Sequence, residues 1–396
     1  MNVWDSLVGQ EETVAVLQTA ARAAADLVHE RPVAPGLMTH AWLFTGPAGS
    51  GRSVAAQALA AALQCERDDD VGCGQCQGCR TVRAGTHPDV RSVVPAGLSI
   101  PVKEMRAVVA ASARRPALGG WQVVVIEDAD RLTEGASNAL LKAIEEPSRR
   151  TVFLLCAPST HPDDISLTVR SRCRLIVLRT PSAAAVTTVL EGDGVDAATA
   201  AWAAAAGQGH VGRSRRLARD SDARDRRASV LAIPASLTSL GACLAAADQL
   251  VAAAEADADE LSAGLDAGET EALQVALGFG GTGKGTAATA RGASGALKEL
   301  ERQQKSRATR TQRDALDRAL VDLAAFYRDV LLLQSGSTVA PAHPDYADDA
   351  VAVALRLTQA GTLQRLDAVL ACREALDLNV KPRIAVEAMA AALRLP

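Results

Sequence analysis

AWLFTGPAGSGRSVAAQALAAALQCERDDDVGCGQCQGC, residues 41–79, decides how this 396-residue chain folds. It opens on a short apolar run that ends at Gly46 and closes on a strong helix, SVAAQALAAAL, at 53–63. Between them GPAGSGRS, residues 46–53, has the spacing G-x4-G-K-[ST] of a phosphate-binding loop, with Arg52 where lysine belongs. Gly46, Gly49 and Gly51 let backbone N–H groups face a shared anion, Ser53 offers a hydroxyl, and the helix N-terminus adds a favourable dipole. Strand, turn and helix follow in the order such a loop requires. Arginine is planar and directional where lysine is a compact point charge, so the exchange at 52 weakens the case for hydrolysis while leaving the fold argument intact.

Past that helix, Cys65, Cys73, Cys76 and Cys79 fall in a C-x7-C-x2-C-x2-C pattern. Four thiolates so spaced can close a tetrahedral shell around Zn²⁺, with no position left open for catalysis. Gly72, Gly74 and Gly78 are expected to give the turn its backbone freedom. Two disulfides or reduced surface thiols compete with this reading, and disulfides fit poorly because the N-terminus, MNVWDSLVGQEE, does not read as a secretory leader. The remaining cysteines, 156, 173, 243 and 372, stand singly and read as buried thiols.

The length allows two or three domains with real cores. A net charge of −4 and a pI near 5.9 argue against a chain held on DNA by its overall charge. An uncharged stretch at 230–247 contains Pro234, Gly241 and several hydroxyl residues, too weakly apolar to be inserted in a membrane. A soluble, cytoplasmic protein is expected.

Three further strands are predicted. WQVVVIEDAD, 121–130, carries Glu127 and Asp128 at its C-terminal end, where open parallel sheets place ligand-handling groups. Their order is reversed from the Asp-then-Glu arrangement that holds Mg²⁺ and orients water. TVFLLCA, 151–157, is apolar throughout and suits a strand buried on both faces, and RLIVLR, 174–179, follows.

With VWDSLVGQEE (3–12), the phosphate loop, the cysteine module, IEDADRL, NALLKAIEEP (138–147) and SRC (171–173) all in sequence, the chain resembles the clamp-loader subunits of the AAA+ class, and among them the delta-prime family of bacterial DNA polymerase III. The resemblance covers almost all of residues 1–180 and thins beyond. It implies an α/β AAA+ domain (a parallel sheet flanked by helices, with a zinc-module insertion) at 1–180, a small helical lid at 181–228 and an all-α oligomerisation collar at 229–396. It implies that Arg172 acts in trans on a neighbour's ATP; pairing with a carboxylate of its own domain is the competing reading. The implied partners are gamma/tau motor subunits and a clamp-opening delta subunit in a hetero-pentameric ring, acting on a sliding clamp and primed DNA. Structural zinc is the expected cofactor, and ATP with Mg²⁺ at the degenerate loop is left open. The sensor-1 position falls at Ser159 or Thr160, and sensor 2 at Gly212 or Arg215. Arg52 and the reversed acids point to a subunit that does not hydrolyse ATP; a gamma/tau-like motor subunit is the alternative.

Beyond 229 the pattern is helical, with Leu316, Leu320, Leu323 and Tyr327 on one apolar face. GFGGTGKGT at 278–286 imitates a phosphate loop without a preceding strand, and a flexible loop is expected over about 278–296. Lys298, Arg302, Lys305, Arg307, Arg310 and Arg313 then read as a solvated basic face, with contact to DNA or a partner as the minority reading.

Overall fold

The computed structural model describes residues 2–118, 120–277 and 286–394, apart from the side chains of 286–293. The chain divides into two compact units, Met1–Pro95 with Ser99–Ala218, and Arg219–Pro396 with the short Ala96–Leu98 segment.

The first unit is built on five parallel strands, β1 (Ala41–Thr45), β2 (Val90–Val93), β3 (Gln122–Ile126), β4 (Thr151–Ala157) and β5 (Arg174–Val177), in the order β2-β3-β4-β1-β5. Around it lie α1 (Glu11–Val28), α2 (Arg52–Leu63), α3 (Gln77–Arg83), α4 (Val102–Ser112), α5 (Glu134–Glu145) and α6 (Leu167–Arg170). Every residue of β1, β3 and β4 is buried, because helices cover both faces. On one face Trp42, Phe44, Val123, Val125 and Leu154 pack with the alanines of α2. On the other, Leu43, Val124, Ile126, Phe153 and Leu155 pack with Met105, Leu140 and Ile144. Each fully buried side chain of this size contributes about 1.5–3 kcal/mol relative to exposure. The register pairs Thr45 with Ala157 and Ile126 with Leu155, so β1, β3 and β4 end at nearly one level. The phosphate loop, the acidic turn and the segment after β4 therefore emerge together. Three helices complete the unit: α7 (Ala183–Gly192), α8 (Ala197–Ala206) and α9 (Val211–Arg219). Ser182 and Asp196 cap the first two by accepting from Ala185 and Thr199 N–H groups.

The second unit is all helical: α10 (Ser221–Ser236), α11 (Leu240–Ala276), α12 (Thr286–Gln334), α13 (Ala347–Arg356), α14 (Gln359–Asp377) and α15 (Pro382–Ala392). At 1.5 Å per residue, α11 and α12 run roughly 55 and 74 Å. Leu316, Leu320, Leu323 and Tyr327 are fully buried, as their spacing predicts, beside Leu231, Val369 and Val386. The uncharged stretch 230–247 is split between α10 and α11, and no helix among the described residues is long and apolar enough to cross a membrane.

Two readings of this region change. Residues 278–285 of the expected loop lie outside the described residues, but α12 begins at Thr286, inside the stretch read as loop. Its run of alanines outweighs Gly292 and Gly295. The basic stretch is also not simply solvated. α11 carries eight acidic residues and no Lys or Arg, and the arginines of α12 meet them. Arg307 grips Glu269 at 2.6 and 2.9 Å and also contacts Asp266, Arg318 reaches Asp257 at 3.0 Å, and Gln312 reaches Glu255. Arg313 donates to the Leu376 carbonyl and to Asn379.

Candidate metal centre and nucleotide cradle

The four cysteine sulfurs lie within 4.8 Å of one another, and all are free thiols. Cys65 to Cys73 is 3.8 Å and Cys76 to Cys65 is 3.9 Å. Four Zn–S bonds of about 2.3 Å in a tetrahedron set sulfurs ~3.8 Å apart, so the donor set fits such an ion. Backbone N–H groups are aimed at the sulfurs: those of Gln75 and Cys76 at Cys73 Sγ (3.5 and 3.4 Å), and that of Cys79 at Cys76 Sγ (3.4 Å). Such donors stabilise thiolates and orient ligands. Cys76 doubles as the N-cap of α3, so the helix fixes two donors. A hydrogen bond from Cys79 holds Cys65 down to about 4, and the same bond pushes Cys79 upward.

Gly72 and Gly74 take positive φ (94° and 72°), as the turn requires. Gly78 does not, and its reason is room: a Cβ there would sit 1.9 Å from the Gln64 carbonyl oxygen. The loop is part of the sheet-facing core, with Cys73 and Cys79 buried beside Val71, Val82 and Trp4.

The phosphate loop lies at the other end of α2. Gly46, Gly49 and Gly51 all have positive φ, and Gly51 is the N-cap of α2 without a side-chain cap. Among the described residues, the buried Ser50 hydroxyl and the buried Nη1 of Arg52 have no hydrogen-bond partner. Ser53 engages the Cys156 thiol, which burial pushes up to about 12. Glu127 accepts from Gln57 Nε2 at 3.2 Å, and Asp128 adopts a left-handed backbone, φ 50°. Sequence reading had not singled out Asp130. Desolvation raises its pKa, the charges of Asp128 and Arg52 both act on it, and its Oδ1 is buried without a partner. Arg52, Glu127 and Asp128 also act on Cys156, so these groups form one cluster at the strand ends.

A second unpredicted participant is His210, just before α9. A Cβ on Gly49 would lie 2.6 Å from His210 Cβ and 2.7 Å from its Cα. The segment leading into α9 is thus packed directly on the phosphate loop. Of the sensor-2 candidates, Arg215 is tied to Asp193 at 2.6 Å, and Gly212 lies in the first turn of α9. Of the sensor-1 candidates, Ser159 donates to Asp164 at 2.5 Å and accepts from the His161 N–H, while the Thr160 carbonyl accepts from Arg170. The Ser159 hydroxyl is thus engaged in its own turn.

Arg172 is half-exposed after α6. It pairs with Glu145 at 2.6 Å and donates to the Thr168 carbonyl and the Ser171 hydroxyl at 2.9 and 3.2 Å. Cys173 is a packing residue, its thiol raised to about 12 by burial.

Comparison with known proteins finds relatives for the first unit. Residues 23–182 match the family described as DNA polymerase III, delta subunit. DNA polymerase III subunit delta′ of Pseudomonas aeruginosa is 40% identical over 149 residues, 37% of this chain and 45% of that one. The Escherichia coli delta′ subunit is 38% identical over 145 residues, 36% of this chain and 43% of its own. Subunit tau of Bacillus subtilis is 33% identical over 172 residues, 43% of this chain and 28% of tau. The matched stretch spans less than half the length of these relatives. A DNA polymerase III gamma subunit-related protein of Thermotoga maritima aligns over 96% of this chain and 98% of its own, at 14% identity and a TM-score of 0.38. The chain resembles the delta′ subunit of bacterial DNA polymerase III.

Proposed function

We propose that this chain is a non-hydrolysing, delta′-like subunit of a DNA polymerase III clamp loader, helping to place the sliding clamp on primed DNA. In this reading residues 1–180 form the AAA+ domain, the small helices that follow are its lid, and the helical unit from Arg219 is the collar that joins motor and clamp-opening subunits in a ring; the boundary expected at 228/229 falls inside α10, which belongs whole to the second unit. The thiol group holds one structural zinc ion. Arg172 is lent to the ATP of a neighbouring motor subunit, where a planar donor fork stabilises charge on the transferring γ-phosphate.

The observation that carries the reading is the state of the phosphate loop. Arg52 replaces the lysine, the acids stand in reversed order, and His210 is packed on Gly49. Steady-state ATPase of the purified chain, alone and with candidate motor subunits on primed DNA, tests it. The expected result is negligible turnover by the chain alone and stimulation by the chain in the complex. Robust turnover alone that disappears in Arg52→Ala would overturn it in favour of a gamma/tau-like motor.

Arg172→Ala tests the lent arginine. Trans-acting arginines elsewhere supply roughly 10³–10⁵ in rate. One of several sites in a ring would be lost, so total ATPase should fall partially and clamp loading more. Wild-type loading and ATPase in that complex would leave Arg172 a local ion-pair residue.

A further inference from the structure

Residues 2–10 contact the turn that follows α2 and the loop that precedes it, and none of these contacts is needed to account for the sites themselves. At the thiol end, the Val3 N–H donates to the Gly72 carbonyl (2.9 Å), the Trp4 indole N–H to the Val71 carbonyl (3.2 Å) and Asn2 Nδ2 to Asp70 (3.0 Å). Val3 and Trp4 are buried. The fit is close: a Cβ on Gly72 would lie 2.7 Å from Trp4 Nε1 and 2.8 Å from Val3 Cγ2.

At the phosphate end, Gln10 is buried and bonded at both ends of its amide. Its Nε2 donates to the Arg179 carbonyl (2.6 Å) and more weakly to that of Ser50 (3.4 Å), and its Oε1 accepts from the Arg179 N–H (3.3 Å). Arg179 sits between β5 and α7, where the chain leaves the sheet for the three small helices.

We infer that residues 2–10 are a strap that transmits the state of the thiol loop to the phosphate loop and to the hinge at Arg179–Pro181. The physical basis is that the thiol end offers the strap no regular secondary structure to hold. Val71 and Gly72 present their carbonyls from a turn whose shape depends on four sulfurs being held together. With a metal bound, that turn is rigid and the strap has fixed acceptors. Without it, the turn loses its cross-link, and the bonds from Val3 and Trp4 lose their fixed partners. Gln10 then reaches Arg179 and Ser50 from a segment released at its other end, and its bonds to the Arg179 N–H and carbonyl loosen with it. The inference rests on the thiol group holding a metal, as proposed above.

Hydrogen exchange read by mass spectrometry on the full chain tests it, with metal content measured on each sample. Three samples are compared: zinc-loaded protein, protein stripped by a chelator, and zinc-loaded Asn2→Asp. Stripping should speed exchange in peptides covering 65–79, 2–10 and 178–182 together. Asn2→Asp retains a side-chain cap for the short turn at Val3–Ser6 and sets a like charge against Asp70. It should keep its zinc, leave 73–79 protected and loosen 2–6, with a smaller effect at 178–182. If stripping opens 65–79 while 2–10 and 178–182 exchange as in the loaded protein, the strap transmits nothing and the inference is overturned. If the purified chain binds no zinc, the metal reading itself is what fails.

Discussion

The thiol loop at 65–79 and the phosphate loop at 46–53 flank the same helix, α2, yet one is complete and the other is not. Four sulfurs, their N–H donors and their glycines are all in place at the first. At the second the glycine turn is present, Arg52 stands where the loop pattern has lysine, Glu127 precedes Asp128, and His210 packs against Gly49. The two sites tolerate damage differently. A tetrahedral shell needs all its donors, since losing one thiolate opens the site to water and weakens the rest. A phosphate cradle is mostly backbone, so its fold outlasts its chemistry.

The largest expected effect lies at the complete site. Cys79→Ser should abolish retention of about one zinc per chain, because it removes a donor that is both buried and fixed by α3. Structural zinc contributes on the order of 10 kcal/mol in small modules, so the thermal midpoint should fall steeply. Metal analysis and a melting curve check both, and full retention of zinc would break the contrast at its stronger end.

At the degenerate site the sharper probe is Gly49→Ala. The residue has φ 83°, and an added Cβ would meet His210 at under 3 Å. Left-handed strain and displaced packing together should cost roughly 2–3 kcal/mol in denaturant titrations. An open phosphate loop would register only the backbone strain. A loss of about 1 kcal/mol or less would place His210 away from the loop and restore the case for nucleotide binding.

How much of this contrast could be read in the sequence depends on the range of the interaction. β1, β3 and β4 announce themselves as apolar runs because both of their faces are covered. β2 does not, since VRSV lies at the sheet edge and only Val93 is buried. The cysteines are legible because a metal shell built from one turn imposes a local spacing. His210 against Gly49 joins positions far apart in the chain, and no periodicity marks it. That Arg172 could pair within its own domain is readable, but not that Glu145 is the partner, and the acids of α11 beside Arg307 escape notice for the same reason: one helix read alone shows charge without its partner.

Acid should sharpen the contrast between the two units. His343 in the second unit is buried against Arg227, Asp322 and Asp329, and burial lowers its pKa. A histidine lowered on folding binds fewer protons folded than unfolded, so stability is present above the ordinary histidine range and declines as pH falls through it. One such group gives a slope of up to about 1.4 kcal/mol per pH unit. His87 in the first unit, also lowered by burial, acts in the same direction. There, any metal held by the thiols would be released as they protonate, adding a metal-dependent loss. Denaturant titrations from pH 7.5 to 5.5 on His343→Gln should show a shallower acid decline, and an unchanged slope would remove His343 as its source.

The smallest expected effect is at Arg172, and its smallness bears on function. The pair with Glu145 is short, but both side chains are substantially exposed, 39% and 45%. Ion pairs so placed are screened by water and typically contribute 0–1 kcal/mol. A double-mutant cycle on Arg172→Ala and Glu145→Ala should therefore give a coupling below about 1 kcal/mol, falling further in high salt. An arginine destined for a neighbour's γ-phosphate must be placed near its working position and yet leave its resting partner at little cost. A weak, solvated tether of this kind satisfies both demands. A coupling of several kcal/mol that survives high salt would mean that Arg172 is locked into its own domain, and the proposal that it is lent to a neighbour would fail.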